Sequence, residues 1–214
     1  IKEGYSDTKA KQIHVGENDA DVFEDSLGSY LVKVSGCSLT DQDSLEVSKL
    51  LHIIGDLERL SDHAVNISES MEEIHDKKLS FSDSAKRELD TLSGAIREII
   101  TLTDNSFSKD DMNSAVLVEP LEQVVDSLKD TIKNQHIERL RKNECTIELG
   151  FVLSDLLNNL ERISDHCSNI AGCIIEIAHS SLGMHEYFNK IKENDEFFKQ
   201  NYNEYLKKYS LTEN

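Results

Sequence analysis

Between Leu50 and Ile74, apolar residues fall at Leu50, Ile53, Leu57, Leu60, Ala64, Ile67, Met71 and Ile74, a spacing of 3-4-3-4-3-4-3. An α-helix gathers such positions into one seam, because its 3.6-residue turn returns to the same face every three or four residues. A strand would scatter them over both faces. The seam predicts a helix about 40 Å long or more, at about 1.5 Å per residue. It recurs 103 residues later at Leu153, Leu156, Leu160, Ile163, Cys167, Ile170, Ile174 and Ile177. A polar string travels with it. Leu57-Glu58-Arg59-Leu60-Ser61-Asp62-His63-Ala64-Val65-Asn66-Ile67 returns as Leu160-Glu161-Arg162-Ile163-Ser164-Asp165-His166-Cys167-Ser168-Asn169-Ile170. Core pattern and surface motif repeat together, which marks an internal duplication. A weaker echo joins Asp21–Leu27 to Glu122–Leu128 at an offset of 101.

The rest of the chain reads as helix, with no convincing strand. One segment is predicted over about Glu17–Gly36, after sixteen polar, weakly patterned residues. Thr40 and Asp43 have the spacing of a capping box before the first seam. A loop is expected near Lys77–Ser82, then a helix over about Asp83–Thr103 that breaks at Asn105–Ser108. Ser108 and Asp111 suggest a second capping box. Helices over about Lys109–Arg141 and Cys145–Ala178 follow. Pro120 is the only proline in 214 residues. It falls inside the first of these two helices, where it removes one hydrogen bond and is expected to bend the helix. The tail from His185 to Tyr209 carries Tyr187, Phe188, Ile191, Phe198, Tyr202, Tyr205 and Leu206, the pattern of a last amphipathic helix.

With 41 acidic residues against 23 basic ones, the net charge is −18. Nucleic-acid binding is disfavoured, because phosphates need basic stripes. So is adsorption to anionic lipid heads. Bound cations or a basic partner are favoured. No apolar run approaches the roughly 20 residues that span a bilayer, so direct membrane insertion of this segment is not expected. Because the sequence begins at Ile1 rather than Met, it reads as a piece of something longer. The four cysteines form no CxxC pair and read as buried, reduced thiols.

Residues four apart share one helix face, roughly 6 Å apart along the axis. Asp21/Asp25, Glu58/Asp62, Glu122/Asp126 and Glu161/Asp165 are four such acidic pairs. Like charges at that spacing repel, and a bridging cation relieves the repulsion. Two neighbouring helices with one pair each supply an oxygen-rich site for a divalent or trivalent metal. With Leu57 and Leu60 on the seam, Glu58 and Asp62 face away from it, towards solvent or a groove. Arg59 and Arg162 are candidate partners for these acids or for an anion. Asn66 and Asn169 are placed to orient a ligand or water. For His63 and His166, partner contact or solvation is expected rather than metal ligation. Glu72-x-x-His75 and Glu176-x-x-His179 have the spacing of di-iron ligands, but they are out of repeat register by one residue. No phosphate loop, nucleophile elbow, zinc pattern or dinucleotide fingerprint is present, so nothing points to an enzyme.

The string Ile54–Ile67 resembles the signature of PhoU-like proteins, regulators of bacterial phosphate uptake. In the second half, Val118–Glu122, His136–Leu140, Cys145–Gly150 and Asp155–Asn169 are similar to the cytoplasmic tail of bacterial sodium/phosphate cotransporter-family proteins. The resemblance implies an all-α fold: two tandem three-helix repeats in an elongated bundle, over residues 1–77 and 78–180, plus a helical tail over 181–214. The first helix of repeat one would then lie largely within Ile1–Gly16. The resemblance implies a non-enzymatic regulatory domain, membrane-associated at the cytoplasmic face of the cell membrane. Its partner would be a phosphate-transporter region on the same chain or on a separate subunit. It also implies surface iron or zinc, or another divalent cation, held by Asp21, Asp25, Glu58, Asp62, Glu122, Asp126, Glu161 and Asp165. The tail is a candidate for homodimerisation. The alternatives are a free-standing regulator of phosphate uptake and a metal-free helical interaction module.

Overall fold

The computed structural model describes residues 4–180 and 184–211, without the side chains of 179–195. It is an all-α bundle of six helices, consistent with two three-helix repeats. They are α1 (Asp7–Ser35), α2 (Asp41–Asp76), α3 (Asp83–Ser108), α4 (Met112–Arg141), α5 (Ile147–Ser180) and α6 (Met184–Lys208).

The two seam helices, α2 and α5, pack on each other along the middle of the bundle. α1 lies on α2, and α4 lies on α5. α3 covers both α4 and α5, and the tail helix α6 docks on α4. The core is therefore richest where α3, α4 and α5 meet. Leu89, Leu92, Ile99, Leu121, Val124, Ile132 and Leu153 are all at most 1% exposed there. Each such side chain contributes roughly 1.5–3 kcal/mol by leaving water. The tail adds Tyr205 to this cluster, and Tyr209 donates to Glu98 and to the Gly94 carbonyl on α3.

The halves are unequally covered. Leu160 on α5 is 4% exposed, whereas its repeat twin Leu57 on α2 is 37% exposed. Val124 is fully buried under α3, whereas its twin Phe23 on α1 is 65% exposed. No residue of α1 is buried. Among the described residues, no helix lies over α1 and α2 as α3 lies over α4 and α5.

Several local expectations are corrected. α1 begins at Asp7, so residues 7–35 form one helix, and among the described residues no separate helix precedes Gly16 where one was expected within Ile1–Gly16. Ala10, Ile13, Glu17, Ala20, Glu24 and Gly28 continue one half-buried face through the weakly patterned stretch. The Thr40–Asp43 capping box is present, with both reciprocal bonds. The Ser108–Asp111 box is not. α3 runs on to Ser108, and Asp111 itself caps α4 by accepting from the Asn113 N–H and the Ser114 hydroxyl. α4 continues through Pro120 without ending. Only Cys167 of the four free cysteines is buried; Cys37 is exposed. Glu72 bonds the Tyr5 hydroxyl and Glu176 pairs with Lys49. The side chains of His179, Tyr187, Phe188 and Ile191 lie outside the described residues.

The helix ends share one device. Lys78, Asp110 and Asn143 follow α2, α3 and α4 in left-handed conformation, with φ of 52°, 53° and 57°. After α2 and α4, the next amide bonds back five residues, Leu79 N–H to Ile74 O and Glu144 N–H to Arg139 O, each at 2.9 Å. These bonds satisfy carbonyls the helix leaves open.

No described helix is long and apolar enough to cross a membrane. Charged residues interrupt every helix. The expectation of a membrane-associated cotransporter segment is thereby corrected for the described residues, which hold a helical bundle and no membrane-crossing helix.

Candidate functional site

The repeated string does two separate jobs. Its histidine and asparagine face the opposite half. His63 Nδ1 donates to Asn159 Oδ1 at 2.8 Å, and Asn66 Nδ2 donates to the same oxygen at 3.2 Å. In mirror fashion, His166 Nδ1 meets Asp56 Oδ1 at 2.8 Å and Asn169 Nδ2 reaches it at 3.4 Å. Asp56 and Asn159 are themselves repeat twins, 103 residues apart. The two imidazoles stack between them, ring centroids 5.5 Å apart. These residues clasp α2 to α5. They do not join the acidic pairs, so the role foreseen for Asn66 and Asn169 as ligand-orienting groups is corrected.

The acids of the string face the other way, into the grooves between α1 and α2 and between α4 and α5. In the second groove, Glu122 and Asp126 stand one turn apart on α4, and Asp165 meets them from α5. Oxygen atoms from these three side chains lie within 4.8 Å of one another. Glu161 adds its field to both α4 acids, but Lys129 on α4 holds its carboxylate in an ion pair. Arg162 Nη1 lies 3.1 Å from Asp165 Oδ2. Loss of water pushes Glu122 up to about 7, reinforced by Asp126, Glu119, Asp165 and Glu161. Asp126 is raised by burial first and by Glu161 and Asp165 next. Crowded carboxylates that resist ionising favour a bound cation as much as a bound proton.

The first groove is looser. Glu58 is raised by burial, then by Asp62, Asp21 and Glu24. Asp25 is exposed, and Glu24 supplies the field beside Asp21 instead. Lys129 has no basic twin here, since the matching position is Gly28. Among the described residues, three converging ligand atoms occur only at Glu122, Asp126 and Asp165. Of the eight expected acids, the structure brings these three together and places Glu161 beside them. It leaves Asp21, Asp25, Glu58 and Asp62 in a wider group.

Sequence reasoning passed over Lys129, Glu24, Glu119, Asp56 and Asn159. A lysine one turn from Asp126, with no partner in the repeat, was the available signal for Lys129. Asp56 and Asn159 precede the repeated string directly, but their types differ. The donor set at the α4/α5 groove is all oxygen, which suits hard cations. It offers no nucleophile and no positioned acid–base pair across a substrate cleft.

Comparisons with known proteins converge on one family. A model described as "PhoU domain" matches residues 3–71 and again 89–174, so each match contains one copy of the string. "Phosphate-specific transport system accessory protein PhoU homolog 1" of Thermotoga maritima is 25% identical over 147 residues. That alignment covers 69% of this chain and 62% of the relative, so the chain spans less than two thirds of that protein's length. The crystal structure of PhoU from Pseudomonas aeruginosa superimposes with a TM-score of 0.74 at 18% identity, over 80% of this chain and 82% of that one. At that identity the likeness is one of fold.

Proposed function

The chain belongs to the PhoU domain family, and from that premise we propose that it is a non-enzymatic regulatory domain of phosphate uptake. The observation that carries the mechanism is the triad of Glu122, Asp126 and Asp165 on the open side of α4 and α5. A metal held there neutralises three carboxylates on two helices at once. It thereby couples the α4/α5 face, where a partner docks, to the availability of cation and phosphate. The partner is a phosphate transporter, of the sodium-dependent class to which the second-half likeness points. It is carried on the same polypeptide or as a separate subunit at the cytoplasmic face of the cell membrane. The domain reaches that face through its partner.

The residues present fit a metal: three oxygen donors within 4.8 Å of one another, and a carboxyl at Glu122 whose ionisation burial and like charge oppose. Oxygen-only donors favour ferric iron over zinc, which more often takes nitrogen and sulfur. Glu161 and the looser group of Asp21, Asp25, Glu58 and Asp62 complete the proposed ligand set. Lys129 regulates access, since its release from Glu161 adds a fourth carboxylate. When bound, the metal supplies charge neutralisation and open coordination positions for a phosphate or a partner's carboxylate.

Calorimetric titration of the chelator-treated chain with Fe³⁺, Zn²⁺, Mn²⁺ and Mg²⁺ tests the site. Saturable binding that falls at least tenfold in Glu122→Gln and Asp165→Asn supports it; unchanged binding in both variants overturns it. Uptake of radioactive phosphate by cells carrying the same substitutions tests the role. Uptake that still responds normally to phosphate starvation counts against regulation through this face.

A further inference from the structure

A second feature of the α4/α5 face lies towards the C-terminal end of α4 and owes nothing to the acids. A cavity of about 290 Å³ opens between the two helices, walled by Ile137, Leu140, Ile147, Phe151 and Leu157. That volume is near the lower edge of small-molecule pockets, about 300–1,000 Å³. Its lip is apolar and open to water: Ile147 is 71% exposed and Phe151 is 70% exposed.

His136 stands in the wall, only 6% exposed. The Cys145 thiol lies 3.7 Å from its Nδ1, and burial raises the thiol's pKa, so the S–H remains to donate. Burial, and the nearby Arg139 charge, lower the imidazole's own pKa. The ring is therefore neutral, and with the S–H turned to Nδ1 rather than to the His136 carbonyl oxygen, 3.9 Å away, its proton stands on Nε2. That Nε2 is buried and has no hydrogen-bond partner. A buried donor left unpaired costs roughly 1–3 kcal/mol, which an arriving acceptor recovers.

The ring's position depends on Gly150. A Cβ there would come within 2.7 Å of Nε2. In the first half, the positions matching His136, Ile137, Ile147, Gly150 and Phe151 are Ser35, Gly36, Ser44, Val47 and Ser48. The first repeat keeps apolar residues opposite Leu140 and Leu157, at Leu39 and Ile54, but lacks the histidine, the glycine and the apolar lip, so the fold does not require them. One charge completes the site. Lys133, on the rim, is exposed and forms no ion pair with a described residue, whereas Lys129 is held by Glu161.

We propose that this cavity binds a small amphipathic carboxylate. The apolar chain lies along Phe151, Ile147 and Leu140, and the head group bridges Lys133 Nζ and the Nε2–H of His136. The pairing of apolar wall, buried neutral donor and rim ammonium matches that ligand class and disfavours a cation.

Sodium decanoate is the probe, titrated calorimetrically into the whole chain, with decanol as its uncharged counterpart. One saturable site is expected. Lys133→Gln should weaken it about tenfold, about 1.4 kcal/mol. Phe151→Ser should weaken it similarly without touching the core, and decanol should bind at least tenfold more weakly. Decanoate should also shift the His136 Nε2–H resonance in NMR spectra. Gly150→Ala should abolish binding. If that variant fails to fold, the two surface variants and the resonance decide. No saturable binding, equal binding of decanol, or indifference to both surface substitutions overturns the proposal.

Discussion

His63 and His166 stack face to face with ring planes 24° apart, and each is anchored to an acceptor in the other's repeat. The duplicated string is thus self-complementary, and its histidines are explained by the seam between repeats. Asn159→Ala removes the acceptor for both His63 and Asn66, and Asp56→Ala does the same for His166 and Asn169. Each is expected to cost about 1–3 kcal/mol, because a half-buried or buried histidine loses its partner, the exposed asparagines adding little. Asp56→Asn, which makes the two sides alike, should cost less than about 1 kcal/mol. Urea denaturation measures all three, and an Asp56→Ala variant as stable as the parent refutes the clasp.

The acid triad sets a direction for pH dependence. Glu122 is pushed up to about 7 in the folded chain, against an ordinary value of 4.5. Between those values the folded state holds a proton that the unfolded state has released. Stability of the metal-free chain should therefore fall as pH rises from about 4.5 to about 7, and this contribution should level off above. Raised Asp126 works in the same direction. Thermal melts in chelator at pH 5 and pH 7.5 should show the decline, and Glu122→Gln should make it shallower. An identical slope in the variant refutes the assignment.

Arg139 and Glu88 tie α4 to α3 with two parallel bonds of 2.5 and 2.8 Å, both side chains buried. Arg139→Met leaves Glu88 as an unpaired buried carboxylate and should cost about 3–5 kcal/mol. Adding Glu88→Leu should recover most of that loss. A double variant no better than the single one, in the same denaturation experiment, contradicts this account.

Lys78 ends α2 in a left-handed conformation that its side chain disfavours. Lys78→Gly should therefore stabilise the chain by about 0.5–1 kcal/mol, with Lys77 keeping its ion pairs to Glu73 and Glu148. A lower denaturation midpoint for the glycine variant refutes this.

The long helices were legible because seams at Leu50–Ile74 and Leu153–Ile177 persist over many turns. The start of α1 was not, because Glu17, Glu24 and Gly28 stand on its packed face and blur the stripe. Thr40–Asp43 was legible as a cap because capping is local. Ser108–Asp111 has the same spacing, but the left-handed turn at Asp110 moved the start of α4 to Asp111. The four acidic pairs could be read from spacing alone. Which of them converge depends on how closely α4 and α5 approach, and on Lys129 drawing Glu161 aside. Asp56 and Asn159 escaped notice because a repeat search rewards identity, whereas an acceptor oxygen is common to both side chains.

The pairing of α2 with α5 also dictates an order of events during synthesis. α2 ends at Asp76 and α5 begins only at Ile147. At about 5–20 residues per second, a ribosome needs roughly 4–14 s to traverse that interval. Through that time the first seam has only α1 to lean on, and α1 buries none of its own side chains. The nascent chain therefore presents a ready helix with an open apolar stripe until the second copy of the string emerges. Completion of translation, more than formation of any single helix, commits this polypeptide to its bundle.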